Sequence, residues 1–179
     1  AGYFATPEQQ VERFDTTTLW ESCITIGTQW AWKPNDDLKS KEKCIRLLVQ
    51  TAGGDGNLLF NVGPKPDGTI EDRQADRLRE MGDWLDKYGE SIYGTGGGPI
   101  SPKEWGVTTH KENKVYLHIL ESKDKIKIKD FPYKVIDARL LNNDMKVSYE
   151  HKGKILNVTL PETKPHAVDY IVKLSCNEK

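Results

Sequence analysis

The chain has 179 residues, enough for a substantial hydrophobic core and for one or two domains. Charged residues make up 30% of the sequence but balance to a formal net charge of -1, which argues against a basic nucleic-acid surface. No stretch approaches the roughly 18 apolar residues of a membrane span, so we expect neither nucleic acid nor a membrane as partner.

The first part of the chain alternates short apolar strands with helices. Residues 22–27 (SCITIG) and 57–62 (NLLFNV) have the β-branched, apolar character of buried parallel strands. The loop TQWAWKPNDD follows the first strand, and a helical stripe comes next, made of Ile45, Leu48, Val49 and Ala52. GGDG at 53–56 is expected to end this helix, with glycine in the left-handed conformation.

A second helix is predicted after GPKPDG. Thr69 is the expected N-cap, acidic residues lie in the first turn, and the apolar stripe is Leu78, Met81, Leu85 and Tyr88. The order strand, helix, strand, helix is the repeat of a parallel α/β sheet. Two such units need neighbouring strands, so we expect the chain to be the C-terminal piece of a larger α/β protein.

The second part contains short alternating segments separated by turns, without a helical pattern. The predicted strands are 114–121, 124–130, 135–141, 146–150, 155–160 and 169–174. This pattern is typical of an antiparallel β-sandwich. We therefore predict an α/β domain at residues 1–98 and an all-β domain at residues 99–179.

Several chemistries are disfavoured by residue spacing. The three cysteines (Cys23, Cys44 and Cys176) are too scattered for a disulfide framework or for a zinc site with close ligand pairs. The four histidines lack HxH or HExxH spacing and are expected to be surface or strand residues: His110, His118, His151 and His166. No GxSxG elbow is present, and GGDG lies at a helix end rather than at a phosphate-binding turn. The sequence predicts no metal site.

Strand polarity separates two glutamates near the start of the chain. Active sites of parallel α/β folds gather at the C-terminal ends of the strands. Glu8 follows GYFAT, which reads as the tail of a strand, so its Thr-Pro-Glu turn belongs to that end. Glu21 instead lies at the entry of the strand at 22–27, where the ordinary interpretation is a buried carboxylate that is paired with an arginine or that supports a loop.

The loop after the first strand carries Trp30 and Trp32. Two indoles in a polar loop are either ordinary core or a platform on which the apolar face of a sugar stacks. For Glu8, the alternative interpretation is a solvated surface residue after a proline. The residues alone leave these alternatives open and moderately favour a carbohydrate ligand.

Three longer blocks carry a family resemblance. WESCITIGTQWAW, KCIRLLVQTAGGDGNLLFNVGPKPDGTI and MGDWLDKYGESIYGTGGG resemble the C-terminal part of family 29 glycoside hydrolases, the α-L-fucosidases. GVTTHKENKVYLHIL resembles the opening of the β-sandwich that follows in that family. The resemblance implies the C-terminal βα units of a TIM-like barrel followed by an antiparallel β-sandwich.

The resemblance also implies a chemistry and a location. The family consists of retaining exo-α-L-fucosidases acting on fucosylated oligosaccharides or glycoconjugates, with no cofactor, in secreted, periplasmic or lysosomal settings. Glu8 matches the family's acid/base loop, Glu21 is the alternative, and Trp30 and Trp32 match the pocket wall. No aspartate here matches the nucleophile motif, so the N-terminal part of the same barrel is an expected partner. A non-catalytic carbohydrate-binding or structural relative is the alternative function.

Overall fold

The structure, a computed structural model, describes residues 4–11, 14–161 and 168–177. Its first part contains a three-stranded sheet, two helices and a 3-10 turn. The bounds are β1 (Phe4–Ala5), β2 (Leu19–Thr25), α1 (Lys41–Gly53), β3 (Asn57–Asn61), α2 (Asp72–Tyr88) and the turn at Gly89–Ser91.

Eight further strands are found in the described residues that follow. They are β4 (Gly96–Gly97), β5 (Gly106–Lys111), β6 (Lys114–Ile119), β7 (Lys125–Ile128), β8 (Lys134–Leu140), β9 (Ser148–Lys152), β10 (Ile155–Thr159) and β11 (Tyr170–Asn177). The protein is therefore mostly β-structure with two α-helices. Neither helix is long and apolar enough to cross a bilayer, a statement that covers only the described residues.

The sheet β1-β2-β3 is parallel throughout, as the alternation of strands and helices predicts. One of its faces packs against the helices, and it buries Trp20, Ser22 and Ile24 from β2. The core on that side includes Ile26, Cys44, Ile45, Val49, Met81 and Trp84. The opposite face carries Leu19, 74% exposed, and Leu59, 51% exposed. An apolar sheet face of this kind is normally covered in parallel α/β proteins.

The remaining strands form two antiparallel sheets with the orders β7-β10-β9 and β4-β5-β6-β11-β8. Alternate residues from both sheets point into one shared core, including Ile126, Leu156, Val158, Leu117, Val172 and Leu174. Lys125 and Lys127 alternate with these apolar positions and are exposed on the edge strand β7. Lysine at such an edge disfavours pairing with another chain. The predicted sandwich arrangement is present.

Strand β5 was missed because its pattern is not apolar. It is buried from Gly106 to Thr109 although two consecutive residues are threonines. Each threonine is satisfied by a backbone group: the Thr108 hydroxyl donates to the Ile100 carbonyl at 3.0 Å, and the Thr109 hydroxyl donates to the Ser91 carbonyl at 2.7 Å. Buried hydroxyl groups are tolerated when they are hydrogen-bonded in this way.

The glycines at the end of α1 were expected to adopt the left-handed conformation, and this prediction is wrong. Gly54 caps the helix at φ -80°, in the right-handed region, and the left-handed residue is Asp55 at φ 70°. The glycines are instead required by close packing. A β-carbon on Gly56 would come within 2.4 Å of the Trp20 ring, and one on Gly53 within 2.4 Å of Val107.

The expected N-cap of α2 also needs correction. The helix begins at Asp72 with Glu71 as N-cap and without a side-chain cap, so Thr69 does not cap it. Thr69 instead donates to the Asp67 carboxylate. Of the two predicted locations for the histidines, surface or strand, His118 has the second: it lies in β6 and is fully buried. His166 lies outside the described residues.

The two parts of the chain share a core and a polar link. The cluster that α1 and α2 form on the parallel sheet also includes Val107, Tyr116 and Ile171 from the antiparallel strands, and Leu120 directly after β6. The carbonyl of Ser91, in the turn after α2, accepts from Thr109 of β5. Packing therefore continues across residue 98, and the division at that residue stays a prediction.

Candidate active site

Glu8 lies three residues after the end of β1 and continues the parallel pairing with β2. It forms a parallel bridge with Cys23, where the Gln9 amide donates to the Cys23 carbonyl and the Cys23 amide donates to the Pro7 carbonyl, both at 2.9 Å. The Glu8 side chain is exposed. The sequence prediction that GYFAT ends a strand is confirmed for Phe4 and Ala5, so Glu8 lies toward the C-terminal end of the sheet.

Register places four side chains on one face of the sheet. Glu8 is paired with Cys23, residues two apart on a strand share a face, and Thr25 is paired with Asn61. This face is the one opposite the helices. The Glu8 carboxylate and the Cys23 thiol lie side by side on this face. The Thr25 hydroxyl and the Asn61 amide form the next pair toward the strand ends.

The loop after β2 carries Trp30 at the same end of the sheet. The Trp30 side chain is 39% exposed, while Trp20, Trp84 and Trp105 are buried. The loop lies directly on the second residue after β3: a β-carbon on Gly63 would come within 2.4 Å of the Trp32 amide nitrogen. This close approach brings the two loops together, and the Trp30 indole stays partly exposed.

Trp32 is held differently. Its ring is half-buried, and its indole N–H donates to the Glu71 carboxylate at 3.0 Å. Glu71 also accepts from Arg73, and these two contacts, Arg73 first, lower the pKa of the Glu71 carboxyl from its ordinary value. The two indoles predicted to bind sugar thus share a loop, but Trp32 is tied to the start of α2.

Asp36 organises the remainder of this loop and was missed at the sequence level. Its buried carboxylate accepts from the Thr28 amide at 2.9 Å and from the Thr28 hydroxyl at 2.5 Å. These bonds, with a smaller contribution from Lys33, lower the pKa of Asp36 from 3.8 to about 2. Nothing in KPNDD distinguishes this buried aspartate from its exposed neighbour Asp37.

Lys39 closes the loop from the other side. Its ammonium group donates to the Thr25 carbonyl at 2.6 Å and to the Gly27 carbonyl at 3.1 Å, and burial lowers its pKa. The Thr25 carbonyl belongs to the last residue of β2, and the Gly27 carbonyl lies in the loop that follows. A lysine in a polar loop gave no sign of this role in the sequence.

Glu21 lies on the same sheet face as Glu8 but farther from the strand ends. It is paired with Asn57, the first residue of β3, and it lines a cavity of about 650 Å³ with Asp55, Tyr93 and Thr95. Glu21 is half-buried and makes no ion pair with a described residue, so the expected arginine partner is not found there. Along β2 it is only two residues, or about 7 Å, from the position opposite Glu8.

A third polar constellation has the order of a nucleophile, a base and an acid. Thr109 Oγ1 lies 3.0 Å from His118 Nε2, and His118 Nδ1 lies 2.6 Å from Asp169 Oδ2. His118 and Asp169 have no exposed side-chain surface, and the Thr109 hydroxyl already donates to the Ser91 carbonyl. The Thr109 oxygen therefore accepts from Nε2–H, and the cluster is structural rather than catalytic.

No group of three or more His, Cys, Asp or Glu side chains suited to a metal ion occurs in the part of the chain that the structure describes. The polar residues near the strand ends are thus a carboxylate, an indole, and hydrogen-bonding groups that fix the loops. This combination suits acid/base chemistry on a ligand with apolar and hydroxyl surfaces.

Comparison with known proteins gives consistent matches. The alpha-L-fucosidase family profile matches residues 1–90, just over half of the 179 residues. Human plasma alpha-L-fucosidase is 37% identical over 111 residues, which cover 57% of this chain and 24% of that protein.

Two solved structures extend the likeness over nearly the whole chain. Alpha-L-fucosidase isoenzyme 1 from Paenibacillus thiaminolyticus matches with a TM-score of 0.86 and 32% identity, covering 98% of this chain and 45% of that chain. The Thermotoga maritima alpha-fucosidase in complex with fucose matches with a TM-score of 0.76 and 31% identity, covering 96% of this chain and 42% of that chain. The chain spans about a quarter of the length of the curated relative and less than half of these structures. It belongs to the alpha-L-fucosidase family of glycoside hydrolases.

Proposed function

We propose that the protein is a retaining exo-α-L-fucosidase and that this chain supplies the acid/base side of its active site. The observation that supports this most strongly is the location of Glu8, exposed at the C-terminal end of the parallel sheet, beside the loop that carries Trp30. Active sites of parallel βα folds collect at that end.

In this proposal Glu8 works with a nucleophilic aspartate outside this chain. Retaining glycosidases use two carboxyl groups about 5–5.5 Å apart, one as nucleophile and one as acid and then base. Glu8 donates a proton to the leaving glycosidic oxygen while the nucleophile attacks the anomeric carbon. It then removes a proton from the water that hydrolyses the glycosyl-enzyme. Glu21, nearby on the same face, is the alternative acid/base.

The rest of the barrel is the partner that this arrangement requires. Leu19 and Leu59 expose apolar surface on the sheet face that also carries Glu8, and the matched structures contain more than twice this chain's length. Further strands of a TIM-like barrel would cover that face and bring the nucleophile opposite Glu8. Trp30, with Trp32 beside it, would form part of the wall against which the sugar packs.

The substrate would be a terminal α-L-fucosyl group on an oligosaccharide or glycoconjugate. A secreted, periplasmic or lysosomal location is consistent with relatives such as the plasma enzyme. The test is an NMR time course of aryl α-L-fucoside hydrolysis, using the protein with all the sequence that its gene encodes. The proposal predicts release of fucose first as the α-anomer. First release of the β-anomer would contradict retention, and no hydrolysis would favour a non-catalytic relative.

A further inference from the structure

A pair of side chains at the ends of β2 and β3 holds the backbone on either side of the Trp30 amide. Asn61 Nδ2 donates to the Trp30 carbonyl at 2.9 Å and to Thr25 Oγ1 at 3.1 Å. The Thr25 hydroxyl in turn donates to the Gln29 carbonyl at 3.0 Å. Two consecutive loop carbonyls are therefore fixed by one connected pair of side chains.

The orientation of each group in this pair is determined by its partners. A carbonyl oxygen only accepts, so the nitrogen of the Asn61 amide must face Trp30, and the Thr25 hydrogen must point at Gln29. Asn61 then uses both of its amide hydrogens, and Thr25 both donates and accepts. Thr25 is 2% exposed, so water cannot readily replace the hydroxyl if it is removed.

Thr25 also touches the segment that carries Glu8, but through its backbone. The Thr25 amide lies 3.4 Å from the Gln9 side-chain oxygen, and Gln9 is the residue after Glu8. This contact does not involve the Thr25 hydroxyl. Changes to the Thr25 side chain should therefore affect the Trp30 loop and spare the Glu8 segment.

From this geometry we propose that Thr25 and Asn61 are positioning residues that set the orientation of Trp30 toward the sugar. The proposal rests on the proposed fucosidase function for its kinetic consequence, but its structural part does not. A stacking wall contacts the sugar in the ground state and the transition state alike, so misplacing it raises KM more than it lowers kcat.

The test uses Thr25→Val, which keeps the shape of the side chain and removes the hydroxyl, and Asn61→Asp, which removes both amide donors. Thr25→Ser is the conservative variant that restores the hydroxyl. Gly82→Ala on α2 is the control, because its new methyl group meets nothing within 4 Å. All are made in the protein with its full encoded sequence.

The structural readout is fluorine NMR of protein labelled with 5-fluorotryptophan, which gives a separate resonance for each tryptophan, including the five in this chain. The Trp30 resonance is identified by its loss in Trp30→Phe. We expect it to shift or broaden in Thr25→Val and Asn61→Asp and to return in Thr25→Ser. The resonances of buried Trp20, Trp84 and Trp105 should stay in place, which shows that the variants are folded.

The kinetic readout is a rise in KM of about three- to tenfold with kcat within about twofold of wild type. A Trp30 resonance that is unchanged in both variants would overturn the positioning role. If Thr25→Val does not fold, Asn61→Asp decides the outcome by the same resonance. A changed resonance in a protein without fucosidase activity would support the positioning role and contradict the proposed function.

Discussion

The carboxylate of Asp36 rests against Gly27, so closely that a β-carbon on Gly27 would come within 2.1 Å of Asp36 Oδ2. Gly27 is the second residue after β2, and Asp36 lies nine positions farther along the chain. The absence of a side chain at Gly27 thus allows Asp36 to reach Thr28 and close the loop that carries Trp30 and Trp32.

Gly27→Ala should open this loop. The added methyl group must displace Asp36 from its contacts, and overpacking of this kind typically costs about 1–3 kcal/mol. The free energy of unfolding, measured in urea, should fall by that order. Gly82→Ala is the control and should raise stability by about 0.5–1 kcal/mol, because alanine favours the helix and the position is open. An equal change in the free energy of unfolding for Gly27→Ala and Gly82→Ala would contradict the packing explanation.

Asp36→Asn should change how stability depends on acid. The folded pKa of Asp36 is lowered from 3.8 to about 2, chiefly by the Thr28 hydroxyl and amide. A lowered pKa contributes stability that is complete above pH 4 and is lost as the pH falls toward 2. The variant should be less stable at neutral pH and show a flatter decline between pH 4 and pH 2 in urea titrations. Parallel curves for the two proteins would show that Asp36 contributes nothing through its charge.

The parallel sheet and most of the sandwich could be predicted because their apolar residues repeat with the period of the structure. The alternation of lysine and isoleucine in β7 is such a case, and in α1 the predicted residues Ile45 and Val49 are buried while Leu48 and Ala52 are only partly so. β5 could not be predicted, because Thr108 and Thr109 satisfy their hydroxyl groups only through Ile100 and Ser91, which other segments bring near.

The same holds for the candidate site: features that follow from strand order could be predicted, and features that depend on contacts formed after folding could not. Strand polarity was enough to place Glu8 near the strand ends, since the bridge to Cys23 follows from the parallel order of β1 and β2. Lys39 and Asp36 could not be recognised, because their partners are carbonyls and amides that the loop presents only after folding. Polarity also separates Glu8 from Glu21 less sharply than expected, since Glu21 is only two residues along β2 from Cys23, the partner of Glu8.

His118→Ala should destabilise the protein strongly. It removes the partner of Asp169 and leaves a buried carboxylate whose other oxygen already lacks a hydrogen-bond partner among the described residues. Breaking a buried pair from one side commonly costs about 3–5 kcal/mol. His110→Ala, on neighbouring β5, makes no ion pair with a described residue and should cost clearly less. The comparison is made by urea unfolding, and similar losses in both variants would argue against the importance of the pair.

Trp30→Ala and Trp32→Phe should have different consequences. Trp30 is the more exposed indole, and its removal should raise KM about tenfold, equivalent to about 1.4 kcal/mol of binding energy. Trp32→Phe keeps an aromatic ring and removes the N–H that binds Glu71, so it should reduce stability with little change in KM. Steady-state kinetics and urea unfolding of both variants distinguish the roles. A larger rise in KM for the Trp32 variant than for the Trp30 variant would mean that Trp32, not Trp30, makes the main contact with the sugar.

The most direct test of the central claim compares Glu8→Gln with Glu21→Gln on aryl fucosides of differing leaving-group ability. General acid/base catalysis contributes about 10²–10⁴-fold, so Glu8→Gln should lose turnover of that order on poor leaving groups and much less on good ones. Added azide should restore its turnover on good leaving groups by replacing the activated water, while Glu21→Gln should show neither behaviour. Wild-type turnover of Glu8→Gln on poor leaving groups would contradict the assignment, and the same profile in Glu21→Gln would transfer the role to that residue.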